Sequence, residues 1–505
     1  MKHQCRDVST SIAVKQHQVA LDPWYRITTA HGVLDIASAG SWRLRLLWAA
    51  ILLFVLATLT LLLVKMFTGF LTIHWIRRTF EVDVEVLPMP HVTVCNYNRY
   101  RKSKVRELKL NETIIHYLSS LYHLDYPFVS HEHGTGRQDS NATLAAMYRQ
   151  WADGHNFSIY DTVNALAHTC ERTFLMVRPQ FVVNPRHRVR DVDVCGNQSQ
   201  YASIHRTYRP DFGLCWTVQF NESYQARNWV SESGPLRGGL YLMLNTDSRD
   251  YAGYIDDHMI DIGFMVSVSF GRDGGAQDIA MMSGTHAWVQ MSFHEKNVQR
   301  DLFDIYPAPC LPRSELNLTF FAVGYRRDGC YHNCMFTANY LRCGCVLMQS
   351  THALPMCEPD QWTRCLLKYG LYGDDEPASR HSECVRQCQP LCTGSFVSVA
   401  ATYANTPNPQ QVGPLSRRLR ERGIINMTET EVANDLTQVT VFYSRLSRRT
   451  SVLYERMTLD TMLATVGGQL GLWMGVSVLT VVQALVHCVA FVWRAVGGKR
   501  NDLKL

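Results

Sequence analysis

Gly467-Gly-Gln-Leu-Gly-Leu-Trp-Met-Gly475-Val-Ser477-Val-Leu-Thr480 lies inside a run, residues 461–493, in which nothing carries a full charge. A straight α-helix over such a run, at ~1.5 Å per residue, is about 50 Å long and overshoots a ~30 Å hydrocarbon core. The run must tilt, break or extend beyond the bilayer. Gly467, Gly468, Gly471 and Gly475 cluster in its first half, and a break is expected among them. Gly467, Gly471 and Gly475 also recur every four residues, which marks one close-packing helix face. A plain packing helix and a broken, water-lined one both fit these residues. Ser477 beside Gly475 adds a hydroxyl. Small residues also leave backbone carbonyls able to replace part of an ion's hydration shell.

A second apolar run lies near the other end. Residues 46–64 are uncharged and rich in Leu, Val and Ala, with Arg45 and Lys65 at their borders. This length suits one membrane crossing, with continuation through 67–73 into the headgroups. The first twenty residues are polar and hold no apolar core of the signal-peptide kind, so export is expected to depend on these internal runs. Arginines flank the first run on both sides, at Arg43, Arg45, Arg77 and Arg78, so loop charge leaves the orientation open.

Sequons and cysteines orient the chain. Asn-x-Ser/Thr occurs at Asn111, Asn141, Asn156, Asn197, Asn221, Asn317 and Asn426, all between the two runs. Fourteen of the sixteen cysteines also lie there, from Cys95 to Cys392. An even number in that stretch fits an oxidising compartment, while Cys5 and Cys488 fall where thiols stay reduced. The expected layout is a cytosolic 1–43, a first membrane helix 44–73, an extracellular domain 74–458, a second membrane helix 459–494 and a cytosolic 495–505. This is an α+β membrane protein of the plasma membrane with a large disulfide-rich β-core outside.

Within that domain, alternation predicts strands at 82–87, 92–94, 263–270 and 437–444. The stretches 415–422 and 428–436 read as solvated helices, the second entered through Asn426-Met-Thr-Glu-Thr-Glu. Cys95, Cys170, Cys195 and Cys215 are widely spaced, and ten more cysteines crowd between Cys310 and Cys392. Cys330-x3-Cys334 and Cys343-x-Cys345 admit a zinc reading, but the even count and compartment favour disulfides and no metal. Spacing alone leaves their connectivity open.

The net charge is only +6 over 505 residues and the basic residues are scattered, so nucleic acid is not an expected partner. No nucleophile elbow, metal-ligand motif or phosphate loop is present, so neither an enzyme nor a cofactor is expected.

The 467–480 stretch resembles the epithelial sodium channel, degenerin and acid-sensing ion channel family, which has a Gly-x-Ser selectivity motif after a Gly-Gly-Gln-x-Gly-Leu segment. Thr29-Ala-His31-Gly32 is similar to the family's cytosolic His-Gly motif. Pro90-His-Val-Thr-Val-Cys95-Asn96 is similar to the segment after its first span. Cys357-Glu-Pro-Asp-Gln-Trp-Thr-Arg-Cys365 follows its cysteine spacing. The resemblance runs from about residue 25 to 490.

It implies a sodium-permeable channel blocked by amiloride-type compounds, built as a homotrimer or as a heterotrimer with related subunits in the lipid bilayer. It implies a filter at Gly475, Val476 and Ser477, a gate at Ala464 and Thr465, and a lower pore at His31 and Gly32. It implies the pairs Cys95–Cys215, Cys170–Cys195, Cys310–Cys392, Cys330–Cys388, Cys334–Cys384, Cys343–Cys365 and Cys345–Cys357. Members open to protons, neuropeptides or force, or stand open. His74 near the first span, and Asp256 and Asp257, are candidate proton-sensing groups. Tyr306-Pro-Ala-Pro-Cys310 departs from the family's aromatic ahead of that cysteine. A non-conducting two-span surface receptor is the alternative of another class, but it has no need of the Gly-Val-Ser stretch.

Thr465, Gln483 and Val486 stand where many relatives have acidic residues. Their neutrality removes negative potential from the pore mouths. The prediction is a weaker preference for sodium over potassium and little divalent block. Reversal potentials in bi-ionic solutions check it; strong sodium selectivity with high-affinity calcium block contradicts it.

Overall fold

Thr285, Ala287, Val289, Met291 and Phe293 are buried while alternate residues between them are half-buried or exposed. This period of two makes one half-buried strand, the spine of the larger of two sheets. The computed structural model describes residues 32–72, 74–120, 136–179, 195, 202–209, 212–220, 230, 232–236, 238–252, 261–270, 276–300, 302, 310, 327–345, 355–361, 365 and 377–498. His31, Asp256, Asp257, Asn197, Asn221 and Asn317 lie outside them.

In chain order come helices α1 (Val33–Ser38) and α2 (Trp42–Thr72), then strands β1 (Trp75–Asp83) and β2 (His91–Asn96). Five helices follow: α3 (Lys102–Glu107), α4 (Glu112–Ser120), α5 (Gly136–His155), α6 (Ile159–Leu166) and α7 (Cys170–Thr173). Strands β3 (Phe174–Pro179), β4 (Ala202–Arg209), β5 (Gly213–Phe220), β6 (Gly239–Asn245), β7 (Gly263–Ser269), β8 (Gln277–Met282) and β9 (Thr285–Val298) make up the centre. The last part holds α8 (Arg327–Cys343), α9 (Pro377–Gln387), β10 (Gly394–Asn405), α10 (Val412–Glu421), α11 (Glu429–Asp435), β11 (Leu436–Glu455), α12 (Leu459–Met474) and α13 (Val478–Gly498).

The chain divides into two compact units, one of Met1–Arg77, Gln299–Pro307 and Leu453–Leu505, the other of Arg78–Val298 and Ala308–Val452. In the first, α2 is by itself long and apolar enough to cross a membrane, and among the described residues no other single helix is. Leu59 is its one buried side chain. Helix α12 packs on α2. Past the end of α2, the Arg456 backbone N–H donates to the His74 carbonyl at 2.8 Å, and its guanidinium reaches the Gly69 carbonyl at 3.5 Å.

The second unit is built on two sheets. One runs β10-β9-β11-β6-β3, with β1 also on β11; the other runs β4-β5-β2-β7-β8. Val92, Val94, Val218, Phe264 and Val266 from the smaller sheet share one core with Leu240, Leu242, Leu244, Val289, Met291, Val439 and Val441 from the larger. A second core gathers Ile114, Ile115 and Leu118 of α4, Ala145, Tyr148 and Ala152 of α5, and Val163 and Leu166 of α6.

Seven disulfides tie this unit. Cys95 of β2 and Cys215 of β5 are register partners, bonded across neighbouring strands. Cys170 pairs with Cys195 and Cys310 with Cys392. Helices α8 and α9 are stapled by Cys334–Cys384, and Cys330 of α8 bonds Cys388 just past α9. Cys343–Cys365 and Cys345–Cys357 complete the set.

Two strand readings change. The segment predicted as a strand over 82–87 is strand only to Asp83, the end of β1; beyond it the Val84 N–H still reaches the Leu446 carbonyl at 2.8 Å, and Leu87 turns to a different partner, Val230. Past Leu87, Pro88 and Pro90 lack the N–H that would extend a ladder. The strand predicted over 437–444 extends through Glu455. Apolar alternation stops near Arg445, but cross-strand pairing continues: the Ser447 hydroxyl donates to Glu81 at 2.5 Å and Arg449 reaches Glu81 at 3.2 Å.

The start of α11 is a reciprocal cap. The Glu431 N–H donates to the Thr428 hydroxyl at 3.3 Å, and the Thr428 N–H donates to the Glu431 carboxylate at 2.7 Å. The Thr428 N–H, its hydroxyl and then Arg249 hold the Glu431 carboxyl below the usual carboxylate range. A depressed carboxyl stabilises the fold above its unfolded value, and that contribution fades as pH falls through the folded value. Thr428→Ala should cost about 1 kcal/mol, read as a lower melting temperature of the detergent-solubilised protein, with Thr428→Ser close to wild type. Glu431→Gln should flatten the stability loss seen on acidification below about pH 4.5.

Candidate functional site

The site is the interruption between α12 and α13. The two helices meet at 78° across Gly475-Val476-Ser477. Gly467 and Gly468 stay helical, as does Gly471, and the break falls at the last glycine of the cluster. Gly475 adopts φ 65° and ψ 19°, left-handed backbone that a side chain disfavours. Its N–H donates to the Gly471 carbonyl at 2.9 Å, and the Val476 N–H reaches the Leu470 carbonyl at 3.3 Å.

Ser477 starts the next helix. Its Oγ accepts from the Thr480 N–H at 3.3 Å, its own N–H donates to Thr480 Oγ1 at 3.2 Å, and its carbonyl receives the Val481 N–H at 3.2 Å. The Ser477 side chain thus caps α13, a role the sequence reading did not assign. The end of one helix faces the beginning of another, so carbonyl acceptors and amide donors that a continuous helix would consume are released at one place. In an apolar stretch such groups are tolerated only where they are buried in protein or meet water. Chemically, this arrangement offers oxygens to a partly dehydrated cation.

Ala464 and Thr465 lie in the middle of α12, and the Thr465 hydroxyl donates back to the Thr461 carbonyl at 2.7 Å. At Gly467 and Gly468 no described atom lies within 4 Å of where a Cβ would stand, and at Gly471 only the Val476 carbonyl does, at 3.8 Å. The close-packing face read from the four-residue repeat is therefore unused within the described chain. Gln483 and Val486 lie on α13, as does Cys488, a free and exposed thiol.

Gly32 caps α1 with φ 83°, and the Ile36 N–H donates to its carbonyl at 3.2 Å. It belongs to the same unit as α12 and α13. His74 sits between α2 and β1, and its carbonyl receives Arg456. The Gly69–Arg456 and His74–Arg456 links join the end of α2 to the approach to α12. Sequence reading missed them, because the Gly69 and Arg456 partners stand 387 positions apart.

Titratable groups in the second unit narrow where a physiological acid switch can sit. Burial, then the Arg101 charge, pushes His168 down to about 3. Burial also lowers His205 and His286. A histidine held as low as His168 does not gain a proton in mildly acidic medium. Of the sequons, Asn111 and Asn156 are exposed, as is Asn426; Asn141 lies within α5.

Residues 25–487 match the amiloride-sensitive sodium channel family. The chain is 23% identical over 479 residues to the bile acid-sensitive ion channel of Homo sapiens, covering 92% of this chain and 85% of that one. It is also 23% identical over 296 residues to the epithelial sodium channel subunit alpha of Homo sapiens, covering 57% of this chain and 42% of that subunit. Against Mus musculus the bile acid-sensitive ion channel is 23% identical, over 91% of this chain and 85% of the other. The chain aligns with less than half the length of the epithelial subunit. The match over nearly the whole sequence makes this chain a member of the amiloride-sensitive sodium channel family, an α+β membrane protein of the ion-channel kind.

Proposed function

We propose that the chain is a pore-forming subunit of a sodium-permeable channel, with α12 and α13 together making its second membrane crossing. The observation that carries this reading is the 78° interruption at Gly475-Val476-Ser477 inside the uncharged run 461–493. Three such subunits, alike or related, would line one path. The open positions at Gly467 and Gly468 of α12 favour this, since a Cβ there would meet no described residue outside its own helix within 4 Å. In this reading 74–458 faces outward, both termini are cytosolic, Gly475, Val476 and Ser477 form the narrowest ring, Ala464 and Thr465 the gate, and His31 and Gly32 the inner mouth. Cys95–Cys215 and the six other pairs keep the outer domain rigid, and the exposed sequons Asn111, Asn156 and Asn426 are open to glycosylation.

Opening comes from an extracellular stimulus, with amiloride as blocker. Protons are one candidate, acting through groups near His74, Asp256 and Asp257. A small amphiphile is the other: two of the relatives are named for sensitivity to bile acids.

Two measurements test the reading. Whole-cell current should appear on stepping the outside from about pH 7.4 to about pH 5, or on adding a bile acid, and should fall with amiloride. Protein at the cell surface that passes no current under acid, amphiphile or peptide would instead support the receptor reading. Gly475→Ala places a side chain at positive φ at a cost of about 1–2 kcal/mol. It should abolish or reshape the current at unchanged surface abundance, whereas Gly40→Ala, at an open position with ordinary backbone, should conduct normally.

A further inference from the structure

Helix α10 carries Arg417, Arg418 and Arg420, with Arg422 at its C-cap, and all four are exposed. At about 100° per residue they spread over roughly 200° of the helix surface. The opposite face is fixed: Leu419 is buried with Met427, Val432 and Leu436, and the Ser416 hydroxyl donates to the Met427 carbonyl at 2.8 Å. Among the described residues none of the four guanidinium groups takes part in an ion pair. One carboxylate, Glu421, lies on the same arc, and Glu429 stands near Gly413 at the other end of the helix.

Cations near a helix C-terminus offset its dipole, which accounts for one or two of them. Arg418 with Arg422, and Arg417 with Arg420, are like charges at spacings where side chains meet, and they oppose the helix. A patch kept against its own repulsion on a rigid, convex face suits a partner recognised by density of negative charge rather than by shape. The seven disulfides place this unit in an oxidising compartment. There, nucleic acid is not the available polyanion. Guanidinium groups match sulfate oxygens through forked hydrogen bonds, and a short arginine-rich segment is a heparin-type patch. We propose that α10 is a docking surface for a sulfated glycosaminoglycan of the extracellular matrix. The proposal rests on the outward placement of 74–458.

The test uses the full-length, detergent-purified channel and immobilised heparin. Wild type should bind and should weaken steeply as salt rises. R417Q/R418Q/R420Q/R422Q should lose about ten-fold or more in affinity at an unchanged melting temperature. R445Q/R448Q, which alters exposed arginines of β11, should stay within about two-fold of wild type. If the quadruple variant misfolds, R417Q and R420Q singly should each give a partial loss. Binding equal to wild type in the variants that fold overturns the proposal. So does competition by desulfated heparin or by poly-glutamate as strong as that of heparin, the latter pointing to an acidic peptide. Labelled heparin should also bind intact cells that express the channel. Binding to purified protein but not to such cells would leave the patch standing and overturn the outward placement.

Discussion

A helix in an apolar run must satisfy its own amide and carbonyl groups, and between α12 and α13 that ladder is interrupted. At Gly475 the ladder of α12 stops, and at Ser477 that of α13 begins. The residues used there are the ones that make an interruption tolerable. Gly475 takes a positive φ without a clashing side chain, its N–H and that of Val476 return to Gly471 and Leu470, and Ser477 with Thr480 close the new helix start. The carbonyls left over are groups that must meet water, protein or an ion. From 461 to 493 no charged side chain competes with them.

The two-sheet unit follows a different logic. Besides its apolar core, covalent bonds tie its helices α8 and α9. Cys330 and Cys334 project from α8 one turn apart to meet Cys388 and Cys384. Cross-linking limits the freedom of the unfolded chain, more so for the longer loops it closes.

Much of this was legible in the sequence, for reasons that differ by element. The 46–64 run reads as a span because length and charge alone define it, and Thr428-x-x-Glu431 reads as a helix start because its cap is local. The break was legible only as a cluster: four glycines were candidates, and the choice of Gly475 depends on Ser477 capping α13. The reach of β11 past Ser444 was not legible, since Arg445, Arg448 and Arg449 look like loop, and the partners of Arg449 and Arg448, Glu81 and Glu295, are remote in sequence. Arg456 was likewise invisible, because its partners Gly69 and His74 are remote in sequence. Cysteine spacing showed how many bridges to expect but not their order.

The strand order has a consequence for how the protein is made. The smaller sheet, β4-β5-β2-β7-β8, is complete once residue 282 has left the ribosome. The larger cannot close until β11 arrives at 436–455 to lie between β9 and β6. Through the synthesis of the residues from 246 to 435, Leu240, Leu242 and Leu244 of β6 wait for Val439 and Val441. An apolar strand with an open edge is the form in which chains stick to one another. Quality control of this channel during biosynthesis therefore turns on guarding one edge of β6 until the end of the chain comes back to cover it.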